Sequence, residues 1–253
     1  MKLSRCLSAF AVLLIACFSL AAQEPGTIAA LEFQKPKNGM TKQYEDGRKQ
    51  KADWHKQQKD PLPLYVFETI SGDDAGTYMI GRFGMHWADF DKPPIPDTAD
   101  LEEFNKVIAQ YVEKVVPRYY EFLPKVSNPD MSGGPMKYTE VIVFHVRSGH
   151  HDDFRSAIGR MYDAVQKTQW PVKYEWYELV NGGRDGEFVL ALPHPNWADF
   201  EDKPDVKPFR DMLKEALGRE ESESVMKRFD SSIEDAYSQI DEFRADLSYI
   251  PGK

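Results

Sequence analysis

The chain is predicted to be an α+β protein in which one strand, helix, hairpin, helix, strand unit is written twice. Three observations carry this. The segment Trp87-Ala88-Asp89-Phe90 returns as Trp197-Ala198-Asp199-Phe200, each time running into acidic residues, a lysine and a proline. The same offset of 110 positions places Phe67-Glu68 on Tyr177-Glu178, Gly72 on Gly182, Gly76 on Gly186, Tyr78 on Phe188, Gly39 on Gly149 and Pro61 on Pro171. Finally, both copies show the same succession of two-residue and helical periodicities.

In the first copy, Leu31 and Phe33 alternate with Glu32 and Gln34, which predicts a half-buried strand ended at Pro36-Lys37-Asn38-Gly39. Thr41 to Lys59 predicts a polar helix whose thin apolar stripe is Tyr44, Ala52 and Trp54, stopped by Pro61 and Pro63. Leu64 to Ile70 and Thr77 to Phe83 flank a glycine- and aspartate-rich turn and read as a hairpin. Asp100 with Glu103 suits a helix start, and Phe104, Val107 or Ile108, Tyr111 and Val115 keep helical spacing as far as Pro117. A short edge strand is expected over residues 122–127. Asn-Pro, Gly-Gly and Pro signals then mark a linker at 130–136, between a first repeat at 27–129 and a second at 137–253.

The second copy has a richer core. Val141-Ile142-Val143-Phe144 is apolar on both parities, as for a strand covered on both faces. Asp152 to Lys167 carries the stripe Phe154, Ile158, Met161, Tyr162 and Val165. Tyr174 to Val180 and Glu187 to Leu192 form the second hairpin, and Pro208 to Leu217 a helix ended by Gly218. Val225, Phe229, Ile233, Tyr237 and Ile240 extend a last helix over 222–243, with a closing strand at 246–251.

Residues 1–22 have a basic head, an apolar run from Leu7 to Leu20 and small residues at Ala21-Ala22, which predicts a signal peptide and an exported, periplasmic or extracellular product. A rival reading takes Leu14-Ile15-Ala16-Cys17 as a lipoprotein box, with Cys17 becoming the lipidated first residue. No second apolar run is long enough for a membrane span. Cys6 and Cys17 both lie in the leader, so the mature chain has no thiol for a disulfide, a nucleophile or a metal site. The formal charge of −9 becomes −11 once Lys2 and Arg5 leave, and with no basic stripe this argues against nucleic acid.

Strand, helix, hairpin, helix, strand is the βαββαβ order of a ferredoxin-like unit. Two such units, each with a Trp-Ala-Asp-Phe segment before its second helix, resemble the dimeric α/β-barrel superfamily. That group includes antibiotic-biosynthesis-type monooxygenases, haem-degrading monooxygenases and chlorite dismutase-like proteins. The resemblance implies an intramolecular dimeric α/β barrel, a pseudo-dimer that is monomeric, with a space between its two sheets. It implies no haem here, because the second-helix regions, 101–116 and 208–243, lack the histidine that haem-binding members use. No cofactor is expected. There is no Gly-x-Ser-x-Gly elbow, P-loop or dinucleotide fingerprint either.

The candidate ligand-binding residues follow from the repeat. Glu68 and Glu178 occupy equivalent hairpin positions among apolar neighbours, and Tyr78 and Arg82 share the face of Glu68. A carboxylate there needs a partner, water or a raised pKa, so these are either cavity groups or structural ion pairs. Trp176 flanks Glu178. Trp87 and Trp197 form either an aromatic pocket wall or a lid over the sheet ends, with Asp89 and Asp199 capping the turn. His145, near the end of a buried strand, is a further pocket candidate. His150 and His151 diverge around a turn, and Asp152 and Asp153 suit a helix start, so no metal is expected. The expected function is a cofactor-free binding protein that holds a small apolar or aromatic molecule between the sheets. The alternatives are a cofactor-independent oxygenase or isomerase using Glu68 or Glu178 as base, and a structural or partner-binding module.

Overall fold

Eight antiparallel strands close on themselves in the order β1-β3-β2-β8-β5-β7-β6-β4. The computed structural model describes residues 25–130 and 134–252, so the leader and both cysteines lie outside the described residues. The first repeat runs β1 (Ile28–Pro36), α1 (Thr41–Gln57), β2 (Tyr65–Thr69), β3 (Tyr78–Met85), α2 (Asp97–Val107) and β4 (Val112–Phe122). The second runs β5 (Tyr138–Val146), α3 (His151–Thr168), β6 (Glu175–Asn181), β7 (Glu187–His194), α4 (Phe209–Leu217), α5 (Arg219–Ser232) and β8 (Ile233–Phe243). Each repeat contributes four neighbouring strands, and the outer strands of one join those of the other at β2–β8 and β4–β6. Closure leaves no unpaired sheet edge, and eight strands enclose room for side chains or one small ligand.

Alternation sorts every strand into a face toward the helices and a face toward the lumen. In β5, Phe144 packs with Phe154, Trp176 and Phe229 under the helices, while Val141 and Val143 line the lumen. That is why this strand is apolar on both parities. The cluster beneath α3, α4 and α5 is built from Phe154, Ile158, Val165, Phe188, Met212 and Leu213, all almost fully buried. Beneath α1 and α2 a smaller cluster holds Tyr44, Val66, Tyr78, Ile80 and Ile108.

Three expectations are corrected. First, α2 stops at Val107 and β4 occupies 112–122, so the separate strand expected over 122–127 does not form. Phe104, Ile108, Tyr111 and Val115 do share helical spacing, but β4 turns Lys114, Val116, Arg118 and Tyr120 inward, an alternation hidden because its inner face is charged. Pro117 is tolerated because its carbonyl, and hence its missing N–H, faces the β6–β7 turn instead of the β1 ladder. A Cβ on Gly182 would lie 2.4 Å from that carbonyl oxygen, and Gly182 has φ +97.

Second, the long last helix is α5 followed directly by β8, and residues 246–251 make only an isolated bridge between Leu64 and Tyr249. Ile233, Tyr237 and Ile240 mimic a helical stripe, whereas the lumen face of β8 is Tyr237, Gln239 and Asp241. Third, α1 buries Tyr44, Gly47, Arg48, Lys51 and His55, with Ala52 and Trp54 only partly covered. Two members of this polar stripe have polar partners: Lys51 Nζ donates to the Asp100 carbonyl at 2.6 Å, and His55 Nδ1 lies 2.9 Å from Asp60 Oδ2. Asp60 also takes Arg82 Nη2 at 2.7 Å.

Candidate functional site

The lumen contains a cavity of about 450 Å³. Leu31, Phe33, Phe67, Met79, Val116 and Val189 form much of its apolar wall, and Phe83 and Tyr177 stand edge to face near one end. The end bearing the β2–β3 turn is charged, with Lys35, Asp73, Asp74 and Lys114 on the lining. Lys35 and Lys114 are register partners on neighbouring strands, like charges side by side.

Two polar groups are built into the wall. Glu187, 3% exposed, accepts from Tyr120 Oη at 2.5 Å and from Arg118 Nη1 at 3.1 Å, and Arg118 also reaches Tyr120 Oη at 3.1 Å. Burial, reinforced by the Glu187 charge, holds the Tyr120 phenol well above its ordinary value and therefore protonated. The guanidinium lies over the Phe33 ring, 5.2 Å from its centroid. His145 extends this group outward, its Nε2 3.5 Å from Glu187 and its Nδ1 2.6 Å from Asp235. Arg184 holds the other oxygen of Asp235 at 3.1 Å.

The second group is Asp241 on β8. Its Oδ1 accepts from Thr69 Oγ1 at 2.8 Å, across the seam between the repeats, and from Gln239 Nε2 at 2.9 Å. Both donors are neutral. Burial therefore pushes this carboxyl up to about 6, against the two hydrogen bonds and with help from Asp74. Glu187 and Asp241 are two lumen carboxyls in opposite settings, one beside a guanidinium and one without a cation.

No protein-family model and no curated protein matches the chain. Solved structures do. A candidate monooxygenase from Lactobacillus acidophilus NCFM superposes with a TM-score of 0.53 at 9% identity, over 90% of this chain and 97% of that one. An anthrone oxidase-like protein gives 0.51 at 14% identity, over 90% and 94%. A mutant chlorite dismutase from Candidatus Nitrospira defluvii in complex with cyanide gives 0.51 at 12%, over 88% and 93%. The chain has the dimeric α/β-barrel fold. At such identities the likeness carries architecture and no chemistry.

Against that barrel, most of the residues expected at the site lie outside the lumen. Glu68 pairs with Tyr78 in the hairpin register, so Glu68, Tyr78 and Arg82 do share a face, but it is the face toward α1. Glu68 binds Arg244 at 2.6 Å, Tyr78 Oη donates to Glu45 at 2.8 Å, and Arg82 is held by Asp60. In the second repeat Glu178 binds Arg155 of α3 at 2.5 Å, and Trp176 is buried against Phe144 and Phe154. Parity explains the inversion: the apolar neighbours of the two glutamates belong to the helix-covered core, so the opposite parity, with Phe67, Thr69 and Tyr177, faces the cavity.

Trp87 and Trp197 stay 50% and 53% exposed and cover outward-facing Tyr119 and Tyr138 at the barrel's other end. Asp89 accepts the His86 backbone N–H at 2.7 Å, and Asp199 takes His194 Nδ1 at 2.9 Å. The repeated motif thus locks the turn that leaves each hairpin. His145 alone of the expected residues touches the lumen network. His150 pairs with Asp153 within α3 and His151 lies beside Phe188, so the three histidines diverge. A haem iron is poorly served by the described residues: α2, α4 and α5 contain no histidine, none of the described histidines lines the cavity, and both ring nitrogens of His145 face carboxylates.

Residues missed from sequence are Arg118, Tyr120, Glu187 and Asp241. The β-branched and aromatic residues Val115, Val116, Tyr119 and Tyr120 were the available strand signal.

Proposed function

We propose that this chain is an exported protein that binds a small, partly aromatic or apolar molecule in the lumen of its own single-chain barrel. The observation that carries this is the cavity of about 450 Å³, apolar along its walls and holding the pre-bonded Arg118, Tyr120 and Glu187 group. A polar set already fixed by its own hydrogen bonds orients a ligand at little further ordering cost. Fusion of both halves in one polypeptide supports a monomer.

Thermal-shift screening of aromatic and alicyclic compounds tests the binding. Stabilising hits are expected with the wild type and are lost in Val189→Trp or Ala191→Phe, which fill the lumen. Hits that persist in both folded variants would place the ligand elsewhere, and a screen without hits would end the proposal. Cleavage after Ala21 or Ala22 is checked by the intact mass of the exported product. A lipid on Cys17 would instead make the protein membrane-tethered.

A further inference from the structure

The strand order puts β8 four places from β4 in both directions round the barrel, so the two strands stand on opposite walls of the cavity. On one wall is Asp241, a carboxyl whose Oδ1 holds both hydrogen bonds. On the other are Arg118 and Lys114, with Lys35 beside Lys114 in the neighbouring strand. Lys35 and Lys114 stand side by side at the end that also carries Asp73 and Asp74, and Lys35 donates to the Ala75 carbonyl at 2.6 Å. Apolar side chains lie between the two walls. A base facing cations across an apolar gap is the arrangement needed to remove a proton from carbon and stabilise the anion left behind.

We infer that the lumen is a proton-transfer site in which Asp241 removes a C–H proton adjacent to the carbonyl of an apolar ketone, while Lys114 and Arg118 face the enolate oxygen. This rests on the lumen being the binding site. In the step the C–H bond breaks, the Asp241 O–H bond forms, and the electron pair moves onto the carbonyl oxygen. When the ketone is β,γ-unsaturated, return of the same proton to the γ-carbon of the dienolate moves the double bond into conjugation, an isomerisation with no oxidant, reductant or co-reactant. Thr69 and Gln239 position the carboxyl. Around Asp241, β2 presents Phe67 and Thr69, β5 presents Thr139 and Val141, and the charge acting on it comes from Asp74 of the β2–β3 turn. Its value of about 6 makes it ionised, yet still basic, near neutral pH.

A nitrobenzisoxazole tests the base directly. Loss of its one acidic C–H to a carboxylate opens the ring N–O bond and releases a coloured cyanonitrophenolate, with no other reactant. Wild-type protein is expected to accelerate this above buffer, with a rate that falls as pH drops through about 6. Asp241→Asn, whose amide oxygen keeps both hydrogen bonds, should lose the acceleration by about 100-fold, within the usual range for general-base catalysis. Thr69→Val should move the pH midpoint upward, because the carboxylate loses a donor. Lys114→Met should lower the rate while leaving the midpoint in place. An unreactive nitroindazole measures occupancy separately. Nitroindazole binding without Asp241-dependent turnover, or a flat pH profile, overturns the proton-transfer assignment and leaves the binding site standing. Absence of both binding and turnover removes the two together.

Discussion

The two repeats share one topology but hold their helices to the barrel by different physics. Under α3 the contact is hydrocarbon and aromatic: Phe154 lies 4.7 Å from Phe188 and 5.1 Å from Phe229, ring centroid to centroid, and every buried residue of α3 is apolar. Under α1 the equivalent layer is ionic, with Asp60 fully buried between His55 and Arg82, and Lys51 buried against Asp100. Arg244 of the second repeat fastens a further part of the first through Glu45 and Glu68, and is itself held by its neighbour Asp246. A fold specifies where a face is covered and leaves the chemistry of the cover open. The apolar layer draws its strength from area and packing, which are indifferent to pH. The ionic layer depends on every partner staying present and in the right protonation state.

The comparison predicts unequal responses to substitution. Phe154→Ala removes a side chain that touches several rings and should cost about 3–5 kcal/mol in chemical denaturation, because the surrounding aromatic cluster cannot collapse onto the gap. Asp60→Asn removes only a charge, yet Arg82 and His55 lose their common acceptor and the Leu62 N–H keeps a weaker one. A loss of about 3 kcal/mol is expected, as for a buried pair broken on one side. If Asp60→Asn proved silent while Phe154→Ala did not, the first repeat would owe its stability to its small apolar cluster and the contrast would fail.

The repeated motif, the hairpins and the doubly covered β5 are legible in sequence because turn glycines and β-branched runs act locally. The parity of each strand is not. A strand facing a lumen lined with charged and polar groups looks like a solvent-facing strand, which is why β4 and β8, with Arg118, Gln239 and Asp241 inside, read as helix or loop. Glu68 and Glu178 were found as unusual carboxylates for a sound reason, their apolar setting, but the groups that satisfy them, Arg244 and Arg155, lie 176 and 23 positions away. Only three-dimensional pairing separates such structural ion pairs from cavity groups.

Acid separates the repeats further. Burial pushes the His55 imidazole down from 6.5 to about 4, so its neutral form is the folded one. A depressed histidine contributes stability that is complete above its unfolded value and is lost as pH falls through the folded one. Lowering the pH from about 7 to about 5 should therefore cost on the order of 2 kcal/mol, concentrated in α1 and the segment holding Asp60. Amide exchange followed by mass spectrometry should show α1 losing protection before α3 does. Equal loss in both helices would mean that the barrel opens as one unit and that local chemistry does not set its weak point.

Asp241 works in the opposite direction and sharpens the same test. Its carboxyl is raised from 3.8 to about 6, so the stability tied to its protonated form is present at low pH and disappears as pH climbs through that value. Acidification thus strengthens the β2–β8 seam while it weakens α1, and a global denaturation curve sees only the difference. Asp241→Asn removes the seam's contribution and retains an oxygen for Thr69 and Gln239. Near pH 8 the variant should be more stable than the wild type by about 1 kcal/mol, since it never leaves an unpaired anion in the barrel wall. Near pH 5 the advantage should vanish, and the variant should then show the steeper acid loss because nothing offsets His55. A variant destabilised at every pH would instead show that Asp241 holds the seam as an anion, with a cation closer than Thr69 and Gln239 indicate.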